Sequence, residues 1–528
     1  MGDGKTAGIW RTDGSPVRRL CRRTAPIAAL AVALAAACGP GDPPVRAEVV
    51  LSVGYAAPAQ AGVAAGLGTL IDQLTTEGLV RTGPDGHVEP MLADRWKIDD
   101  AGTTVTLYLR QNVSFHDGSP MTAQDVTTSL NRLRESPGRI AQNPVLGDIE
   151  SIEAPERYRV VIKLDRPAAQ LLLFELGVRV EKLGPDGQRI ATGPFSVESV
   201  TPEETTLRVN PHYHRGRPEI DRVSIKTYPT LRTAWVAMMR SEIDFLFNVP
   251  IEAREFVEAD PSVRVFSRNT PYAYALLFNT RRPPFDDARV RVALSRAVDR
   301  DAIIDGTFRS HSSVASGIWP AHWAFDGVEL TYDYDPRGAH RELNALGLEY
   351  PMRANGGATE GFAHRLRFKA LVSTDLARIE PIALLVQQQL RQIGVEMEID
   401  AKPFGEIGLQ VRQSQGDSWD AVLLPLNTAR NLGRLYIYWH SSQELDVSGF
   451  NGADDILESL RSSVTEADAS ASATEFQRVL FEAAPAVFLA GLEEARAVSL
   501  RFVVPDEPGR DVIETLWQWR VADGATAN

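Results

Sequence analysis

Leu92-Ala-Asp-Arg-Trp96, Ser114-Phe-His-Asp-Gly118 and Thr122-Ala-Gln-Asp125, running on to Ser129-Leu-Asn-Arg-Leu133, are the parts of one stretch that decides how this chain is read. Within it, Thr104 to Arg110 alternates with the period of two that belongs to a half-buried strand. The turn at His116-Asp117-Gly118 follows, where glycine supplies backbone angles that other residues resist. Thr122 then stands where a helix N-cap is needed and Asp125 three residues on, a close relative of the capping box. Val126, Leu130 and Leu133 recur at spacings of four and three, so one face of that helix is apolar. Together these signs predict a compact strand–turn–helix unit and specify no chemistry.

Working outward, Glu48 to Val53 reads as a first strand and Gly66 to Leu79 as a helix. A hairpin is expected around Arg81 to Pro90, and a strand over Tyr158 to Leu164. Val223 to Tyr228 reads as a strand, Thr230 to Arg240 as a helix, and Glu242-Ile-Asp244 as the start of a further strand. Tyr272 to Asn279 is apolar and rich in strand formers. Beyond it helices and strands alternate. Asp335 caps a helix that begins at Pro336 and ends at Gly347. Arg365 to Val372 is a strand, Ile379 to Ile393 a helix closed by Gly394, and Val395, Met397 and Ile399 alternate as a strand. Asp454 to Ala483 reads as helical, and Ala486 to Leu489 and Ala497 to Val503 as two returning strands. This βαβ grammar predicts mixed or mostly parallel sheets with helices on their faces.

Several of these segments carry a shared pattern. Leu92-Ala-Asp-x-Trp96, Leu109-Arg110, Val113-x-Phe115-His-Asp-Gly-x-Pro120 and Thr122-Ala-x-Asp-Val126 form its densest part. Glu77-Gly-Leu-Val80, Thr192-Gly-Pro-Phe195, Asn210-Pro-x-Tyr213 and Pro284-Phe-Asp-Asp-x-Arg289 extend it. The chain thereby resembles the bacterial extracellular solute-binding proteins of family 5, the receptors for peptides, nickel, opines and some oligosaccharides in ABC import. The resemblance runs with gaps from about Glu48 to about Phe502. It implies an α/β, two-lobed periplasmic-binding-protein fold of type II, cluster C. Mixed sheets and an extra small subdomain in the first lobe go with that fold. The expected layout is 48–75 with 192–279 and 495–528 as lobe I, 76–191 as its small subdomain, and 280–494 as lobe II. Gln170 to Ile190 is shorter than the family segment there, so the subdomain is expected to be trimmed.

Composition fits an exported receptor. The chain has 528 residues, ample for two or three lobes, and a net charge of −13 that disfavours a nucleic-acid binder. Arg18, Arg19, Arg22 and Arg23 precede an apolar run, Ile27 to Ala37, which is too short to span a bilayer as a mature helix. It ends in Leu34-Ala-Ala-Ala-Cys38-Gly39, similar to a lipoprotein processing site although Ala35 stands where Leu is preferred. Residues 1–37 are therefore expected to be a signal peptide, Cys38 the lipidated residue and 38–47 a tether. With Cys21 lost, Cys38 is the one remaining cysteine, which leaves neither a disulfide nor a cysteine metal site.

Searches for catalytic patterns find no Gly-x-Ser-x-Gly elbow, Walker loop, dinucleotide fingerprint, His-Glu-x-x-His or Cys-x-x-Cys. His212-x-His214 has metal-like spacing, but it lies in the family's turn region, where a structural role is expected. His116 is expected to order its loop. In peptide-binding relatives the resemblance puts, after the strand near Trp419-Asp420, a loop whose Asp pairs with the ligand's ammonium. Here Ala429 occupies that place and Arg430 follows. Without that carboxylate a buried ammonium is unpaired, so an ordinary free-amine peptide is disfavoured. Arg430 either faces the cleft, where it suits a carboxylate or phosphate, or caps the next helix. The candidate ligand-binding residues are Tyr55, Tyr272, Tyr274, Trp319, Trp323, Asn427, Arg430 and Trp439, chosen for aromatic or polar contact near the lobe junction. No catalytic residue, metal or cofactor is expected.

The expected role is a monomeric solute receptor, tethered by lipid to the membrane, that hands a small organic ligand to an ABC permease. The ligand would be peptide-like, opine-like or an oligosaccharide. A sensor of the same fold and, further off, a secreted hydrolase are the alternatives.

Overall fold

The computed structural model describes residues 47–56, 66–136, 143–177, 179–315, 322–325, 330–350, 364–376, 378–413, 418–428 and 430–524. Cys38, Trp319 and Ala429 lie outside them. The chain divides at Ala47, and the unit from Glu48 onward is the one described.

Its spine is a ten-stranded mixed sheet that runs through both lobes without a break. In lobe I, Val50–Ala56 lies parallel to Arg222–Tyr228 and to Phe245–Leu246. In lobe II, Leu366–Ser373 lies parallel to Val395–Lys402 and to Ala421–Asn427. Two long antiparallel strands, Val263–Phe278 and Ala486–Ser499, cross from one set to the other. Leu51, Val53, Phe245 and Trp519 fill the lobe I core; Leu276, Phe278, Ile382 and Val386 fill that of lobe II.

A separate four-stranded antiparallel sheet orders Ala93–Ile98, Thr104–Leu109, Arg159–Leu164 and Ile149–Glu156 side by side. Helix Ala123–Arg134 packs on it through Val126 and Leu130. At the helix start, the Asp125 carboxylate accepts from the Thr122 amide at 2.8 Å and from its hydroxyl at 2.7 Å. This sheet's core does not close on itself. Leu107, Phe115 and Leu172 belong to one apolar cluster with Leu435, Trp439 and Phe476 of the lobe II helices.

The sequence expectations differ from the structure in four elements. Helix Leu67–Thr75 stops before Thr76, whose backbone is extended, and so is shorter than Gly66 to Leu79. The strand at Tyr272 begins nine residues earlier, at Val263, because its polar half pairs with the returning strand. The two returning strands expected over 486–503 are one continuous strand, Ala486–Ser499, followed by the short Phe502–Val503. The helical span 454–483 is broken into Asp454–Arg461 and Glu466–Ala483, since Thr465 caps the second helix by accepting from the Asp468 amide at 3.1 Å.

Candidate functional site: a crevice between subdomain and lobe II

In open α/β sheets ligands lie beyond the carboxyl ends of the parallel strands. In both lobes here those ends face the crossover strands, whose mutual ladder is interrupted between Asn269 and Ala273. The Thr270 hydroxyl donates to the Leu492 carbonyl at 2.8 Å across that interruption. Just beside it, two arginines share two acids. Arg268 meets Glu494 and Asp511, each at 3.0 Å; Arg496 meets the same pair at 2.8 and 3.0 Å. Burial alone would raise the pKa of Asp511, but Arg496 and Arg268 overcome it and hold the carboxyl below its ordinary value.

Between the small subdomain and lobe II lies a cavity of about 600 Å³ with a largely polar lining. Helix Ala123–Arg134 presents Ser129 and Arg132 to it, and the segment after helix Ala169–Glu175 presents Arg179, Glu181 and Arg189. Lobe II contributes Asn431 and Arg434 from the loop and helix that follow Asn427. Arg189 reaches Glu181 at 2.6 Å and Asp72 at 3.0 Å, and Arg179 also pairs with Asp72. Glu175 is buried and accepts from the Asn431 side chain at 2.9 Å. Burial raises its pKa, and Arg434 and Asn431 offset this only in part. Arg132 is exposed at the rim and makes no hydrogen bond or ion pair among the described residues.

The candidates from the sequence are scattered. Tyr55 is buried in the lobe I core against Phe247, with ring centres 5.9 Å apart. Tyr274 is buried against Phe308, and burial pushes its hydroxyl up to about 12. Trp439 is 1% exposed, between Phe476 and Phe488. Tyr272 and Asn427 are half-buried partners across the sheet, at the strand end that leads into the crevice loop. Trp323 stacks on His87 of the subdomain hairpin, 5.1 Å between centres, and its amide donates to the Asp85 carbonyl. Arg430 donates to the Gly509 carbonyl at 3.0 Å, in the C-terminal segment of the chain.

His212 is exposed, whereas His214 is turned inward onto Glu77 at 3.0 Å, beside the Tyr213 hydroxyl at 2.8 Å from the same carboxylate. Among the described residues no three His, Cys, Asp or Glu side chains converge to hold a metal, and no helix is long and apolar enough to cross a membrane. His116 reaches the Gly193 carbonyl at 3.1 Å and so ties its turn to lobe I.

Sequence reasoning missed Arg132, Glu175, Asn431 and Arg434. One signal was available for Glu175: a lone carboxylate in the apolar run Leu171 to Leu176 is expensive to bury unless it has a partner.

Comparison with known proteins gives three findings. A family model described as "Bacterial extracellular solute-binding proteins, family 5 Middle" matches residues 87–443. The glutathione-binding protein GsiB of Salmonella paratyphi A is 24% identical over 347 residues, which are 63% of this chain and 65% of that protein. The chain thus spans about two thirds of its length. Among solved structures, the oligopeptide-binding protein AppA of Bacillus subtilis with a nonapeptide superposes with a TM-score of 0.70 at 21% identity, over 90% of this chain and all of that one. AgaA with agropinic acid, from A. tumefaciens R10, gives 0.68 at 22% over 90% and 99%. At these identities the structures establish the two-lobed fold alone.

Proposed function

Since this chain belongs to the bacterial extracellular solute-binding proteins of family 5, we propose that it is the solute receptor of an ABC importer, holding one small organic molecule between its lobes. The carrying observation is the 600 Å³ crevice. It is large enough for a solute of a few residues, and side chains from both the small subdomain and lobe II line it. Closure of two bodies around a ligand changes the outline of the whole molecule, which a membrane permease can read. No step of chemistry is needed for that role.

In this reading Tyr272, Asn427 and Arg430 border the solute, and Trp323 fixes the lobe II loop that flanks it. Tyr55, Tyr274 and Trp439 give the walls their rigidity from within the cores. The segments 48–75, 192–279 and 495–528 act as lobe I, 76–191 as its small subdomain and 280–494 as lobe II. Residues 1–37 direct export, and a lipid on Cys38 holds the monomer at the membrane face where its permease sits. Replacement of Cys38 by Ser then releases the protein from the membrane fraction into the soluble one.

The test of the role is thermal unfolding of the protein against free and N-blocked short peptides, opine-like acids and oligosaccharides. A ligand at 100 times its dissociation constant adds about 2.7 kcal/mol. A rise in midpoint with one class supports a receptor. No rise with any of them, together with turnover of an ester or amide panel, would replace the receptor by a hydrolase.

A further inference from the structure

We infer that lobe II holds one small monovalent anion, of the size of chloride, against the buried guanidinium of Arg300. A cavity of about 20 Å³, room for a single water-sized body, lies beside that side chain. Ser295, Ala315, Thr331, Tyr332 and Phe488 are among its walls, and it shares no residue with the crevice. Arg300 is 8% exposed, and every acceptor it reaches is neutral. Its Nε donates to the Phe488 carbonyl at 2.7 Å, Nη1 to the carbonyls of Ser295, Val298 and Tyr332, and Nη2 to the Ser295 hydroxyl at 2.8 Å. One Nη2 hydrogen is left without an acceptor among the described residues. The neighbouring Asp299 is engaged elsewhere, capping the next helix at the Ala302 amide.

Charge balance carries the inference. Arg291, one turn before Ser295 on helix Ala288–Arg296, is also buried and donates to the carbonyls of Phe285, Ala483 and Ala484. A third guanidinium near Tyr332, that of Arg296, is matched by Glu342, and Glu482 pairs with Arg478. Tyr332 itself stays neutral: burial pushes its hydroxyl up to about 12, and it donates to the Phe481 carbonyl. Burial brings Arg300 down to about 10, which leaves it charged at neutral pH. The carbonyls that Arg291 and Arg300 meet include those closing helices Glu466–Ala483 and Ala288–Arg296, and each such terminus carries about half a negative charge. Two positive charges thus face about one negative, and about one stays unanswered. A buried charge in that state is strongly unfavourable. A water in the cavity would accept the spare hydrogen and leave the charge. Chloride answers both, with the Ser295 and Thr331 hydroxyls on the wall as further donors.

Thermal unfolding of the full chain in mild detergent tests this, with sodium chloride or bromide exchanged for gluconate at constant ionic strength so that screening is unchanged. Crystals grown in bromide locate the ion directly by anomalous diffraction. Expected is a midpoint that climbs and then levels off with chloride or bromide, and an anomalous peak within hydrogen-bond reach of Arg300. Ala315→Leu fills the cavity and keeps the guanidinium; it and Arg300→Met should each remove the halide dependence of the midpoint. If Arg300→Met fails to fold, Ala315→Leu and the bromide peak decide alone. A midpoint indifferent to the exchange, or a cavity that holds water and no bromide, overturns the inference. So does an Ala315→Leu protein that responds to halide as the parent does.

Discussion

Gly78 shows how closely single residues are set. A Cβ there would lie 2.6 Å from the backbone of Gly177, so the segment that follows the first helix and the one that follows Ala169–Glu175 touch main chain to main chain. Gly78→Ala should cost about 3 kcal/mol, read as a fall in the urea midpoint with unchanged slope. Two buried titrating groups oppose each other in acid. Burial pushes His322 down to about 4, so its stabilising effect is complete above pH 6.5 and is lost as pH falls toward 4. Burial pushes Asp446 up to about 6 despite its bonds to Ser448 and Gly449. Its contribution is complete below pH 3.8 and is lost as pH rises through 6. Each is worth about 3 kcal/mol at full extent. Denaturant melts from pH 4 to 7 should therefore show a steeper acid loss in Asp446→Asn and a flatter one in His322→Gln than in the parent. At this scale the sequence disclosed what is local: the Thr122–Asp125 cap and the Asp335 cap are both present. It could not disclose the crevice, because Glu175 and Asn431 meet across it only once both walls are folded.

Among the elements, the crossover strands bear the most. Arg496 is buried on one of them and donates to the Phe247 carbonyl and the Asn248 side chain, at 2.6 and 2.7 Å, besides its two acids. Arg496→Met strands Glu494 and Asp511 with only Arg268 between them, and should cost about 3–5 kcal/mol in a denaturant melt. If that melt moved by less than about 1 kcal/mol, the cluster would be ornamental to folding. Strand and helix periodicity made most elements legible, including Ile379–Gln392, which buries Ile379, Ile382, Val386 and Leu390 at spacings of three and four. The return strand was split because Glu493, Glu494 and Arg496 interrupt its apolar pattern, and that interruption is the ion cluster itself. A polar break inside one strand and a turn between two strands look alike until the partner strand is known.

At the scale of the molecule, lobes and subdomain are joined by bonds of unequal worth. Arg378 to Glu252, at 2.9 Å, links the two lobes with an exposed carboxylate, and such pairs contribute at most about 1 kcal/mol. Glu252→Gln should leave the thermal midpoint within about 2 °C and change ligand affinity by no more than a few-fold. The overall architecture was legible because the pattern of residues 92–133 is dense. The position of the crevice was not, since its two walls come from segments some 250–300 residues apart in sequence. The apolar cluster shared by Leu107, Phe115 and Leu172 with Leu435, Trp439 and Phe476 has a consequence for how the chain is made. The subdomain leaves the ribosome long before the helices that cover it, and contacts so distant in sequence form late. Until they do, its greasy side stands bare, and the growing chain is a client for holding chaperones rather than a set of pieces that mature one after another.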